Sequence, residues 1–229
     1  LLTHPLTQER IADSLSRART LPAGGQADSK AYRLARFRLM SLLSRDDEQT
    51  VGNWRRQLQD NPAAEEARFG LALALKNQRQ FEQARREMDV LLTAQPATVD
   101  YVVARADIEL AENRPEQALQ LLRQALTLTP DSTPLRLYAA HAAIQCLQGD
   151  LAIGWLEPLS RLRPMDPVVW ELMSEAHLQR KDSIGVLRSR AEVRFLTGQG
   201  EKSLKDLEQS IRLAQGNYPL QAKLQERLN

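Results

Sequence analysis

Histidines, cysteines and clustered carboxylates are the side chains from which a hydrolytic or metal site is usually built, and in this chain they are scattered. The three histidines are His4, His141 and His177. No two are close in sequence, and none belongs to an H-E-x-x-H segment, where one helical turn brings two imidazoles to the same zinc ion. Cys146 is the single cysteine, so neither an internal disulfide nor a cysteine-rich zinc site can form. Its apolar helical neighbourhood predicts a buried structural thiol, which fits a reducing or an oxidising compartment. No G-x-G-x-x-G or G-x-x-x-x-G-K-[ST] loop is available to cradle a phosphate, and no G-x-S-x-G elbow presents a nucleophile. Gly24 and Gly25 sit in Pro22-Ala23-Gly24-Gly25-Gln26, the composition of a flexible connector. The sequence therefore predicts no catalytic residue, no metal site and no cofactor within this chain.

Charge and hydropathy narrow the class further. The 31 basic and 29 acidic residues are interspersed and leave a net charge of +2. No basic run forms a nucleic-acid footprint. No apolar run approaches the roughly 20 residues of a membrane-spanning helix. Hydrophobic residues make up 42% of the chain but aromatics only 5%. Leu, Ala, Arg and Gln dominate, and these are strong helix formers. A sheet protein would carry more β-branched and aromatic residues, so the expectation is all-α. The opening Leu1-Leu2-Thr3-His4-Pro5 lacks Met and has no signal-peptide pattern. It reads as the interior of a longer protein.

What would position functional residues is a repeat. Pro62, Pro96, Pro130 and Pro164 recur at an interval of 34 residues, and so do Ala84, Ala118 and Ala152. Phe81-Glu82-Gln83-Ala84 aligns with Pro115-Glu116-Gln117-Ala118, each after a polar turn. Two helices and two short turns fill such a period. An alanine where the helices cross lets their axes approach closely. A proline after the second helix ends it, because it lacks an amide donor and disfavours helix at the preceding residue. Thr133-Pro134 and Asp166-Pro167 place an N-cap side chain before a proline at the first helical position.

On these residues the chain resembles tetratricopeptide (TPR) repeats, whose period is 34. The resemblance implies an all-α TPR solenoid, a right-handed superhelix of helix-turn-helix hairpins. The units are 31–64, 65–98, 99–132 and 133–166, then a half unit at 167–183 and a further unit at 184–217. Thr50 replaces the crossing alanine in the first, and Ser203 holds that place in the last. Residues 218–229 form a capping helix, as the ends of a solenoid require. The expected core comprises Leu71, Leu75, Ala84, Leu91, Ala106, Ala118, Leu122, Ala125, Ala140, Leu156, Leu159, Ala191 and Leu207.

The first helix of each hairpin lines the concave side of such a stack. That alignment puts Phe69, Leu73, Lys76, Val103, Asp107, Leu137, Tyr138, His141, Glu171, Glu175, Arg188 and Glu192 along an open groove. The mixed apolar and polar wall suits an extended segment or helix of a partner protein. His177 takes a place usually held by Tyr and is expected to be packed. One TPR variant clamps a C-terminal carboxylate with paired basic and Asn residues. Here those places hold Phe69, Gly70 and Leu73, then Val103, Ala104 and Asp107, so that clamp is absent.

Residues 1–20 lie outside the repeat. Thr3-His4-Pro5-Leu6-Thr7-Gln8-Glu9-Arg10-Ile11 resembles the T-H-P-x-x-x-x-R-I element near the end of the peptidase domain in HtpX-like zinc metallopeptidases. In one bacterial branch of that family a TPR region follows. The resemblance makes residues 1–30 the end of a peptidase-like domain plus a linker. It implies a periplasmic or membrane-associated zinc endopeptidase that handles outer-membrane proteins. Its zinc ligands would lie upstream, and its TPR part would dock onto the barrel assembly machinery or its substrates. It also implies an auxiliary or inhibitory role for His4 beside the parent's zinc. The residues themselves equally allow His4 merely to precede a helix N-capped by Thr7. A stand-alone TPR adaptor in envelope or secretion assembly, with no protease attached, is the alternative; an H-E-x-x-H upstream separates the two.

Overall fold

The computed structural model of the chain describes residues 28–43 and 48–228, together with 12–13, 16–17 and 19–20. His4, the T-H-P element and Gly24-Gly25 lie outside the described residues. Among the described residues every regular element is a helix: α1 Lys30–Leu43, α2 Glu48–Asp60, α3 Glu65–Asn77, α4 Phe81–Ala94, α5 Val99–Ala111, α6 Pro115–Leu128, α7 Thr133–Gln145, α8 Gly149–Leu162, α9 Pro167–Gln179, α10 Ser183–Leu196, α11 Gly200–Leu213 and α12 Tyr218–Leu228. Each packs against its successor from α2 onward, and α5 also touches α7, as α7 touches α9. This is the layout of an all-α solenoid of TPR hairpins.

The turns repeat as strictly as the helices. Arg79, Asn113, Leu147 and Lys181 all have φ between 57° and 61°. Each follows the last turn of a first helix. The next amide then reaches back five residues: Gln80 N–H donates to Leu75 O at 2.8 Å, Arg114 to Glu109, Gln148 to Ala143 and Asp182 to His177. That closure satisfies an orphan carbonyl and fixes the left-handed residue. Gly198, at φ 77°, makes the same turn, with Gln199 N–H donating to Arg194 O at 2.7 Å. It comes half a period after Lys181. Helix α10 is therefore the second helix of one hairpin and the first helix of the next.

Small side chains sit at the helix crossings. Ala84, Ala118 and Ala152 are fully buried. Ser203 is also buried, and its hydroxyl donates to Ala191 O at 2.8 Å, so the polar atom is satisfied inside the crossing. The expected core residues are all buried except Ala125, which is half-buried against the same cluster. Trp170 packs with them and donates its indole N–H to Pro164 O at 2.8 Å. The Asp166 carboxylate accepts from Val168 N–H at 3.1 Å and caps α9. Thr133 is not the corresponding cap of α7. It is already helical, and Ser132 precedes it without a side-chain bond. Cys146 is half-buried rather than enclosed.

Helix α1 departs from the pattern. It runs parallel to α3, with Lys30 Nζ 2.8 Å from Glu65 at one end and Asn77 Nδ2 3.1 Å from Ser41 Oγ at the other. It meets α2 through the edge-on contact of Phe37 with Trp54, ring centroids 5.3 Å apart. Its far flank reaches α5, where Arg38 donates to Asp100 O at 3.3 Å. It thus lies on the concave side of the stack. Leu34, 1% exposed, anchors it; such a burial contributes about 1.5–3 kcal/mol. Its ion pairs with Glu65 and Glu66 border solvent and add about 0–1 kcal/mol each.

Candidate protein-binding groove

The concave wall is built from two rows of side chains, each repeating at the TPR period. The first row is Phe69, Val103, Leu137 and Glu171, from α3, α5, α7 and α9. The second is Leu73, Asp107, His141 and Glu175 from the same helices. Along both rows the environment changes steadily. Phe69 and Val103 are buried, Leu137 is half-buried and Glu171 is exposed. Leu73 is buried, Asp107 and His141 are half-buried, and Glu175 is exposed.

The expectation that Phe69, Leu73 and Val103 face an open groove is corrected by this gradient. All three belong to the buried core. Phe69 shares one apolar cluster with Leu34 of α1 and packs against Tyr101, ring centroids 5.7 Å apart. Helix α1 has taken the place that open water would have had. Glu192 is corrected too. It is 7% exposed, because Arg227 of α12 folds over it. Arg227 Nε and Nη2 donate to the two carboxylate oxygens at 2.7 Å each, and the guanidinium lies over Phe195 at 5.2 Å. A bidentate pair of this kind fixes geometry as well as charge.

What remains open runs from α5 to α10. Lys76 and Asp107 are bonded across adjacent repeats at 2.7 Å. Burial raises the pKa of the Tyr138 hydroxyl, and the nearby Asp107 charge raises it further, while Arg38 of α1 opposes both. Tyr138 thus stays neutral at the centre of the wall. His141 lies one turn further, 3.1 Å from Gln145 Nε2. Glu171 and Glu175 present free carboxylates to solvent on α9, and Arg188 is half-buried on α10. A cavity of about 250 Å³ opens between Ala35, Arg38 and Leu39 of α1 and Val99, Val103 and Pro134. Tyr32 and Leu39, each more than half exposed, give α1 an apolar outer edge.

The sequence reading missed Arg38, Lys30 and Tyr101 as parts of this wall. The available signal was the i, i+3, i+4, i+7 and i+8 spacing of Lys30, Arg33, Leu34, Phe37 and Arg38. His177 is packed. Its Nδ1 lies 2.9 Å from an Asp182 oxygen. Burial lowers its pKa, Asp182 works against that, and Arg180 adds to the lowering. Gly185 is required here, since a Cβ would collide with the imidazole. No group of three or more His, Cys, Asp or Glu side chains among the described residues is placed to hold a metal. Among the same residues no helix is long and apolar enough to cross a membrane.

The hairpins, turns and concave wall define the class: the chain is a TPR α-solenoid, a scaffold for protein–protein contact. The family model for the tetratricopeptide repeat matches residues 109–176. The sequence is similar to a β-barrel assembly-enhancing protease of Yersinia pestis, 28% identical over 200 residues, covering 86% of this chain and 41% of that protein. The protease of the same name from Escherichia coli (strain K12) is 28% identical over 213 residues, 89% of this chain and 42% of its own. The chain thus spans about two fifths of the length of these relatives, and it is similar to their TPR region. Among solved structures, PilW, described as a type IV pilus biogenesis factor, superposes with a TM-score of 0.62 at 16% identity, covering 89% of this chain and all of that one. The Pseudomonas aeruginosa pilF structure gives 0.59 at 18% identity, covering 86% and 89%. At such identities the two share the fold.

Proposed function

We propose that the chain is the TPR part of a periplasmic zinc metalloprotease that assists or clears outer-membrane β-barrel proteins. In this reading the open stretch of the concave wall seats segments of the barrel assembly machinery or of its substrates. The peptidase would carry the zinc and the H-E-x-x-H, and His4 would approach that centre. Two things support it: the name shared by the relatives, and the layout of a T-H-P element followed by repeats. The observation that carries the binding role is the graded wall. His141 and Glu175 stand one repeat apart on α7 and α9, with Glu171 one turn before Glu175, and all three are reachable by solvent. Extended or helical segments bind such walls through side chains at matching intervals.

The test is a photo-crosslinking amino acid placed at His141 or Glu175 in the full-length protein in cell envelopes. Adducts with barrel assembly proteins or nascent barrels are expected. Adducts from convex positions such as Gln124, with none from the wall, would overturn the assignment.

A further inference from the structure

We propose that the N-terminal end of the concave wall is a receptor for a basic amphipathic helix of a partner protein, with α1 as its occupant in cis. The inference rests on the reading of the concave face as a protein-binding wall and adds the class of ligand.

The seated helix displays the chemistry of the site. Lys30 bonds to Glu65 and Gln95 and lies 4.9 Å over the ring of Tyr101. Arg33 Nε donates to Glu66 at 2.7 Å. Leu34 enters the apolar floor beside Phe69, and Phe37 rests on the edge of Trp54. Arg38 reaches the Asp100 carbonyl. The receptor is thus two carboxylates at one end, an aromatic floor, and a carbonyl at the far side. Its ligand is a helix with cations at i, i+3 and i+8 and apolar residues at i+4 and i+7.

Two observations separate this from an ordinary first helix of a solenoid. Helix α1 packs chiefly along α3 and reaches across to α5 instead of closing a hairpin on α2. Among its described side chains Leu34 alone is fully buried, whereas Phe69 and Tyr101 beneath it are completely covered. The floor is therefore tied into the repeat core with Ala72, Leu75 and Ile108, while the occupant is held by one aliphatic anchor and by pairs that border water. An occupant held this way yields to a competitor that repeats its pattern.

The probe is a fluorescein-labelled peptide of residues 29–43, titrated against the full chain and against its Leu34→Ala variant. The variant, whose own α1 competes less, is expected to bind at least tenfold more tightly than the unsubstituted chain. Adding Glu66→Arg should abolish that gain, and a peptide carrying Arg33→Glu should restore it. Equal affinity for a scrambled peptide, or no gain in the variant, overturns the proposal. Should Leu34→Ala lack a cooperative melt, hydrogen exchange on the unsubstituted chain decides. A hundredfold excess of peptide should speed exchange in α1 and leave α3 and α5 protected, and unchanged α1 exchange overturns the proposal. A dimer in light scattering that the peptide dissolves would make the occupant a second copy's α1, and the separate-partner form would fall. Crosslinks from His141 and Glu175 that persist without peptide capture would sink this inference alone; loss of both would sink the reading beneath it.

Discussion

Phe69 and Glu171 hold the same place in their respective helices, yet Phe69 is sealed beneath α1 while Glu171 stands in water. One wall is therefore core at its start and solvent-exposed surface further along. Truncating Phe69 to Ala should cost about 3–5 kcal/mol, read from urea unfolding. Glu171→Ala should stay within about 0.5 kcal/mol while changing partner capture. Equal midpoints for the two variants would contradict the gradient.

Ala118 occupies a helix crossing with no free surface. Replacing it with Leu forces α5 and α6 apart, and overpacking of this kind costs about 1–3 kcal/mol. Calorimetry of the variant is the check, and an unshifted transition would show that the crossing has slack.

The left-handed turns offer a test of opposite sign at two sites. Gly198 has φ 77° and open space where a Cβ would sit, so Gly198→Ala carries a purely conformational cost, about 1–2 kcal/mol. Leu147 adopts the same conformation at φ 59° with its side chain 80% exposed. Leu147→Gly relieves that strain and loses little packing. After the entropy glycine adds to the unfolded chain, the gain should be at most about 1 kcal/mol. Paired denaturation curves moving in the same direction would refute the account.

His177 supplies a pH signature. Its folded-state pKa lies below the ordinary value because the ring is buried, with Arg180 and Arg188 nearby and Asp182 only partly compensating. The unfolded chain then binds more protons than the folded one as pH falls through the ordinary histidine range. Stability from the neutral ring is fully present above the unfolded pKa of about 6.5 and declines below it. His177→Gln should flatten the fall in melting midpoint between pH 7 and 5. A parallel decline in both proteins would remove His177 as its source.

Much of the fold was legible because it is periodic. Prolines and alanines at 34-residue intervals report local events, a helix stop and a helix crossing, and those depend on near neighbours. Ser203 could be placed at a crossing for the same reason. The open part of the wall was not legible, because exposure depends on what lies above a residue. Leu34 covers Phe69 from another helix, and Arg227 covers Glu192 from the far end of the chain. No periodic signal encodes either encounter. Thr133 failed as a cap for a smaller reason: the helix begins one residue earlier than its proline pattern implied.

The shared helix α10 acts like a stacking fault in a crystal. Upstream of it, copies of the 34-residue motif could be added or removed and the array would lengthen or shorten in register. Beyond it the phase is shifted by half a period, so α10 and α11 form a hairpin out of step with those upstream. Arg227 ties α12 to this helix through Glu192.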